Sequence, residues 1–415
     1  MIIVVDGYST GKHIVRDMNT LGEKCIHVQS GEISPPHKAS YRPEDYIHNY
    51  KYNGDKLDLA EKLKQHKPTA VIAGCESGVL LADILSSILG CKTANDLSLS
   101  ESRRDKYKMQ ERLRDCDIPC VRQYLADSLK GGLDWCSKLK TKPVVLKPIN
   151  SAGAEDVYFC YTEDEIEIAF QKIIGKKNLI GEINKVVLFQ EYLLGTEYIV
   201  NTVGTGGKYF VADVWRCDKK FLNDRTNVTD IEVLCSPDSP EVRVLSDYAF
   251  TVLEALGIKN GPAHFEIMLT ELGPILIEVG ARVQGSIQSD VVKKATGHGH
   301  LALTVASYAS PSVIEKLSST PYKVDEWMIR CVMHCQHPGV FNGYDFLNEV
   351  QSLSSFQEYT QCLKVGDSMV VTTDFSNITA MIDFTNPCES ALWSDFNEFR
   401  VLEARYWQKQ IGLEV

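Results

Sequence analysis

Residues 263–285 carry two apolar runs, Phe265-Glu266-Ile267-Met268-Leu269 and Ile275-Leu276-Ile277-Glu278-Val279, around a short Thr270-Glu271-Leu272-Gly273-Pro274 connection. The pattern predicts a β-hairpin. With the turn centred on Leu272, Glu266 falls opposite Glu278, and Met268 opposite Leu276 on the same face. Two carboxylates facing each other inside an apolar hairpin repel, so the arrangement is costly unless a cation sits between them. Hard oxygen donors of this kind suit Mg²⁺, which takes one or two protein carboxylates and completes its octahedron with phosphates and water. A surface hairpin whose glutamates face water reads equally well from these residues alone. Arg282, just beyond the second run, would put a fixed positive charge beside such a metal.

Working outward, residues 1 to about 95 alternate short apolar runs with helical stretches: strands at 2–5, 25–28 and 70–73, helices at 11–21, 57–65 and 77–89. This predicts a small parallel sheet with helices on both faces. Its first turn holds two decoys. Gly7-Tyr8-Ser9-Thr10-Gly11 matches a nucleophile elbow but lacks the rest of a hydrolase. Gly7 to Lys12 falls one residue short of a P-loop, and His13 replaces the required Ser or Thr. A tight strand-to-helix turn explains both. Ala73-Gly74-Cys75-Glu76-Ser77-Gly78 is a similar turn, and the carboxyl ends of such strands commonly border ligand clefts.

From Ser98 a charged helix is expected, capped by Ser100 or Ser102 and carrying Lys106. Pro143-Val144-Val145-Leu146-Lys147 is more specific: an apolar strand delivers a lysine, whose ammonium needs an anionic partner if buried. The small-residue loop Ser151-Ala152-Gly153 follows, with backbone amides able to close over phosphates. Next come the strand and linker Gln190-Glu191-Tyr192-Leu193 and a strand from Glu197. A strand at 208–215 ends in the basic cluster 216–220, read as a solvated turn. An amphipathic helix at 240–256 leads into the hairpin. Thr296-Gly297-His298-Gly299-His300 opens a helix through Tyr308, with exposed histidines expected.

The order of these features resembles the ATP-grasp superfamily of carboxylate–amine ligases, most densely between 102 and 285. The resemblance implies an N-terminal Rossmann-like domain (1–97), an ATP-grasp domain (98–325, its lysine and flap part 98–190 and its metal part 191–325) and a C-terminal α+β lid (326–415). It implies ATP and Mg²⁺, with Mn²⁺ as a substitute. Lys106 and Lys147 would reach the nucleotide phosphates and 151–153 would form the flap. Gln190 to Leu193 would be the adenine linker, Glu197 would take the ribose hydroxyls, and Met268 would lie under the adenine ring. Glu266 and Glu278 would hold the metal, with Arg282 and Lys147 catalytic. One departure concerns Gly280, where many members carry a metal-binding Asn. Glu278-Val279-Gly280-Ala281-Arg282 looks more like the bacterial L-amino-acid ligases, which join two amino acids into a dipeptide. The implied reaction is ATP-dependent amide formation through an acyl phosphate, releasing ADP and phosphate. A carboxylase or purine-pathway enzyme is the alternative within the superfamily, although no Met-Lys-Met biotin site is present. A non-catalytic nucleotide-binding protein is the alternative outside it. Which substrates are joined, and whether Arg216, Lys219, His298 or His300 touch them, is not legible.

Composition sets the outer bounds. At 415 residues, with 44% hydrophobic and 24% charged residues, the chain calls for two to three packed units. Its net charge of −11 argues against nucleic-acid or anionic-membrane partners and leaves small-molecule carboxylates and amines as the expected ones, with a homodimer open. No signal-peptide pattern opens the chain, so a cytoplasmic protein is expected. Thirteen scattered cysteines then read as thiols. Cys331, His334, Cys335 and His337 match no zinc spacing and read better as part of a buried strand. Later strands are expected at 327–334, 339–341 and 369–373, and a last helix at 397–410.

Overall fold

The computed structural model describes residues 1–410 except 34, 140, 151–154, 179–182, 223–225 and 286–288. Within them the chain builds three main sheets. The first is parallel, ordered β3-β2-β1-β4, from β1 (Ile2–Val5), β2 (Cys25–Gln29), β3 (His48–Lys51) and β4 (Ala70–Ala73). β1 and β4 read as continuous apolar runs because both faces are covered, whereas the edge strand β3 is polar and largely exposed, and no strand was expected there. Ile3, Val5, Val28 and Val71 pack on one side with Leu59, Leu63 and Leu85 of the helices Lys56–Lys64 and Val79–Ile88. Ile2, Val4 and Ile72 pack on the other with Ile14 and Met18 of Gly11–Thr20, joined by Leu301 and Val305 of a much later helix, His300–Ala309. The glycine turns after β1 and β4 press together: a Cβ on Gly74 would lie 2.5 Å from the Asp6 carbonyl oxygen. Asp6 ties the turns further, accepting from the Ser30 backbone N–H (2.8 Å) and the Ser77 hydroxyl (2.6 Å). Close backbone approach therefore accounts for both decoy motifs.

The second sheet, ordered β5-β8-β6-β7, comprises β5 (Gln123–Ala126), β6 (Val144–Lys147), β7 (Tyr158–Cys160) and β8 (Val187–Glu191). The third has eight antiparallel strands. It is built from β9 (Thr196–Thr205), β10 (Lys208–Leu222), β11 (Thr226–Leu234), β12 (Gly261–Thr270), β13 (Gly273–Gly280) and β14 (Trp327–Met333). A two-stranded ribbon of β15 (Gly339–Val340) and β17 (Ser368–Met369) stands beside it, and β16 (Phe356–Gln361) and β18 (Ala380–Asn386) complete it in the order β13-β12-β9-β10-β11-β14-β18-β16. Strands after residue 326 thus continue the sheet that carries the hairpin. The amphipathic helix Pro240–Ala255 buries Leu245, Ala249, Val252 and Leu253 in the core of this sheet.

Several expectations need correction. The charged helix does not start at Ser98: two short 3₁₀ turns, Leu97–Leu99 and Glu101–Arg103, come first, and the α-helix is Lys106–Asp115. Ser100 and Arg103 are turned inward, both bonded to the buried Asp83 (2.5 and 2.7 Å), so they serve packing instead of capping. Asp105 caps the helix, its carboxylate accepting from the N–H groups of Tyr107 (2.9 Å) and Lys108 (3.0 Å). The cluster at 216–220 is not a turn; it lies inside β10, where each charge has a partner across or along the strands, Arg216 with Asp218, Lys219 with Glu197 and Lys220 with Asp230. His300 is fully buried, with Nε2 3.1 Å from the Thr202 carbonyl oxygen, which overturns its expected exposure. The last helix begins at Glu389, eight residues earlier than expected at 397.

Candidate active site

The hairpin forms as read, with Glu266 opposite Glu278. Beyond that pair the register shifts: Ile267 faces Leu276 and Met268 faces Ile275, so Met268 is not opposite Leu276. The β-bulge has a clear use. It lets Leu276 turn into the core with Ile267, both fully buried, while Glu278 still faces Glu266 on the opposite side of the sheet.

The lysine at the first position of the helix Lys106–Asp115 reaches this pair. Lys106 Nζ lies 3.0 Å from Glu278 Oε1, with the lysine side chain only 7% exposed. One carboxylate of the facing pair is thereby neutralised from a distant part of the chain. Glu266 is compensated less by protein cations, although its side chain is 41% exposed to water; burial, then the charges of Glu278 and Glu197, raise its pKa above the ordinary carboxylate range. Lys147, at the end of β6, is buried. Burial, then the neighbouring Lys106 charge, lower its pKa to about 8 against the opposing pull of Glu278, Glu266 and Glu197. The two lysines and three glutamates therefore share one electrostatic environment, brought together from two sheets and a helix.

The linker residues continue from it. Gln190 and Glu191 end β8, where Gln190 donates to Gln123 Oε1 (3.1 Å) and Glu191 is held by Arg122 Nε (2.6 Å) and by the Arg122 backbone N–H (2.8 Å). Tyr192 packs edge-on against Phe159 of β7 and Leu193 is half-buried. Glu197 and Met268 are cross-strand neighbours on β9 and β12. Glu197 is also paired with Lys219 (2.8 Å), a contact hidden from the sequence because 216–220 reads locally as a turn. Ser151, Ala152 and Gly153 lie outside the described residues.

Arg282 stands beyond the hairpin, its Nε donating to Glu76 Oε2 (2.8 Å). Glu76, in the turn after β4, also accepts from Arg104 NH1 (2.5 Å). Burial opposes the charge on Glu76, but Arg282 and Arg104 outweigh it and keep its pKa below the usual range. Behind Arg282, a buried network fixes the chain. Asn201 donates to Asp213 (2.6 Å) and Gln284 (2.8 Å) and contacts His264 Nδ1 at 2.9 Å, while Trp215 Nε1 donates to Asp213 (2.6 Å). Burial and the Arg282 charge push His264 well below the ordinary histidine range, so its ring is neutral at pH 7. His298 is half-exposed and Arg216 is spent on Asp218.

A divalent ion fits the donor set. Glu266 and Glu278 are oxygen donors held face to face, and Glu266 lacks a full counter-charge. Among the described residues no group of three or more His, Cys, Asp or Glu side chains converges as a metal cage. Two protein carboxylates plus substrate phosphates is the arrangement that suits Mg²⁺.

Comparison with known proteins bears on the family and the fold. Residues 140–290 match the family model described as an ATP-grasp domain. The chain is 34% identical over 320 residues to dapdiamide A synthase of Enterobacter agglomerans, an alignment covering 75% of this chain and 74% of that protein. It is 22% identical over 268 residues to an L-arginine-specific L-amino acid ligase of Bacillus subtilis, covering 61% and 62% of the two chains. In fold it is similar to the crystal structure of an L-amino acid ligase from Bacillus licheniformis, with a TM-score of 0.74 at 18% identity over 97% of this chain and 96% of that one. The chain belongs to the ATP-grasp family, as one of its ATP-dependent carboxylate–amine ligases.

Proposed function

We propose that the protein joins an amino acid, or a similar carboxylate, to the amino group of a second small molecule, through an acyl phosphate and with release of ADP and phosphate. The observation that carries this reading is the shared environment of Lys106, Lys147, Glu266 and Glu278, with Arg282 following just after the hairpin's second strand. A carboxylate is a poor acylating agent because its leaving group would be oxide. Transfer of the γ-phosphoryl group supplies a better one, and such transfer is catalysed mainly by positioning and charge neutralisation.

In this scheme Lys106 and Lys147 hold the nucleotide phosphates. Glu266 and Glu278 hold Mg²⁺, which when bound neutralises charge on the transferring phosphoryl group. Lys106 would exchange its partner Glu278 for phosphate oxygens as nucleotide enters. The Gln190–Leu193 linker grips adenine through its backbone, Glu197 takes the ribose hydroxyls, and Met268 lies under the base. Arg282 faces the acyl phosphate and then the tetrahedral intermediate formed when the amine attacks. The names of the relatives, dapdiamide A synthase and L-arginine-specific L-amino acid ligase, support an amino acid on at least one side of the new amide. The reading carries with it the division at 97/98 and 325/326, the last region serving as a lid, and action in the cytoplasm. No helix of the described residues is long and apolar enough to cross a membrane.

The test is a panel of amino-acid pairs scored for phosphate release and amide product. A pair that yields both in equal amounts identifies the substrates; nucleotide turnover stimulated by bicarbonate and by no amine would reject the ligase reading.

A further inference from the structure

Arg282 does not stand alone, and the residue that orients it comes from the opposite end of the chain. We propose that Glu76 is a positioning residue that fixes the Arg282 guanidinium for the acyl-phosphate step. The proposal rests on the reading of Arg282 given above. Glu76 sits at the carboxyl edge of the parallel sheet, in the 3₁₀ turn Glu76–Gly78. Its side chain is 11% exposed, and its two oxygens are divided between Arg282 Nε and Arg104 NH1. Arg282 NH1 makes a longer contact of 3.3 Å to the Val283 carbonyl oxygen. The guanidinium is thus held at Nε by a charge-assisted bond, which sets its plane while leaving it permanently cationic. Glu76 shares one negative charge between two guanidinium groups.

Gly280 supplies the second observation. Its backbone is not in the left-handed region, so the glycine is there for space. A Cβ at 280 would stand 2.8 Å from Glu76 Oε2 and 3.0 Å from Arg282 Cζ, the two members of the pair. The room that a side chain would need is filled by the Glu76–Arg282 contact. The glycine that departs from the Asn of other family members therefore has a physical reason in this chain. Positioning of this kind matters because a misplacement of about 1 Å at a reacting centre can cost about a hundredfold in rate.

The experiment compares Glu76→Gln, Gly280→Ala, Arg282→Ala and the Glu76→Gln/Arg282→Ala double variant in full-length protein. It measures kcat, the KM for ATP and the thermal midpoint. Glu76→Gln is expected to lower kcat by about ten- to a hundredfold with the ATP KM within error of the parent, and to lower the midpoint as well, because Arg104 and Arg282 lose their shared anion. Gly280→Ala should lower kcat in the same direction, and Glu76→Gln should cost little more once Arg282 is gone. Parental kcat in Glu76→Gln, a kcat loss that adds in full to that of Arg282→Ala, or a loss shared by the ATP KM would overturn the positioning role. Parental kcat in Arg282→Ala would instead remove the Arg282 reading itself, and the proposal with it.

Discussion

Two charged clusters lie on one face of the same eight-stranded sheet, and they are built in opposite ways. Met268, Glu197, Cys217, Glu232, Arg330 and Asp383 stand opposite one another in successive strands, forming a row across it. At the far end Arg330 is 4% exposed and bonded twice to Asp383, at 2.8 and 3.2 Å, with Glu232 at 3.6 Å. There one guanidinium serves two carboxylates, and burial still pushes Glu232 above the ordinary carboxylate range, but each group is held to a partner within the protein. At the hairpin end Glu266 faces Glu278 with Lys106 on one carboxylate only, and Lys147 is buried beside Lys106. Burying charge is tolerable only with compensation. The first cluster carries its compensation within the protein and reads as structural. The second leaves like charges facing each other, the pattern expected where ligands complete the balance.

The contrast is broken most severely at the compensated end. Arg330→Ala would leave Asp383 and Glu232 buried without their cation, and should cost about 3–5 kcal/mol of stability, read from a urea midpoint, with the ATP KM of the folded protein unchanged. An unchanged midpoint would mean that this cluster is not structural. At the hairpin end, Glu278→Gln should keep the midpoint but lower Mg²⁺-dependent turnover by about a hundred- to a thousandfold. Equal phosphate release from mutant and parent at matched Mg²⁺ would remove the metal assignment.

Lys147→Ala should weaken ATP binding by about ten- to a hundredfold, the worth of one hydrogen bond to a charged group. The same lysine sets a pH limb. Its folded pKa is lowered to about 8 by burial and by Lys106, so its charge is present below that pH and is lost as pH rises through it. The kcat/KM for ATP should fall above about pH 8, and Lys147→Arg, which stays charged, should abolish that limb. A limb that survives in Lys147→Arg belongs to another group. The smallest effect is expected at Met268→Ala, about tenfold or less in affinity for ATP, with no change for inorganic triphosphate. A matching loss for triphosphate would take Met268 away from the adenine end.

The hairpin, three strands of the first parallel sheet and the strand leading to Lys147 were legible because their apolar pattern is local; β3, His48-Asn49-Tyr50-Lys51, is polar and carries no such pattern. The β-bulge beside Glu266 was not, since it is set by which of Leu276 and Ile277 the core accepts. The continuation of β10 through 216–220 was hidden for a related reason. Its charges look solvated in sequence, yet Lys219 is matched by Glu197 of β9 and Lys220 by Asp230 of β11. Glu76 gave only the faint signal of an acid in a turn after a buried strand. Its partners Arg104 and Arg282 stand 28 and 206 residues away, and no local pattern connects positions that only the fold brings together. Of the candidate residues, the positions set by a strand end or a facing pair could be read; the contacts that hold them in place could not.

The account turns on the uncompensated end of the row serving phosphoryl transfer to a carboxylate. The most direct measurement is to identify the nucleotide product while the amine substrate is replaced by hydroxylamine. The account predicts ADP and phosphate, with a hydroxamate of the carboxylate substrate formed in equal amount. AMP and pyrophosphate, even with an amide bond formed, would contradict it.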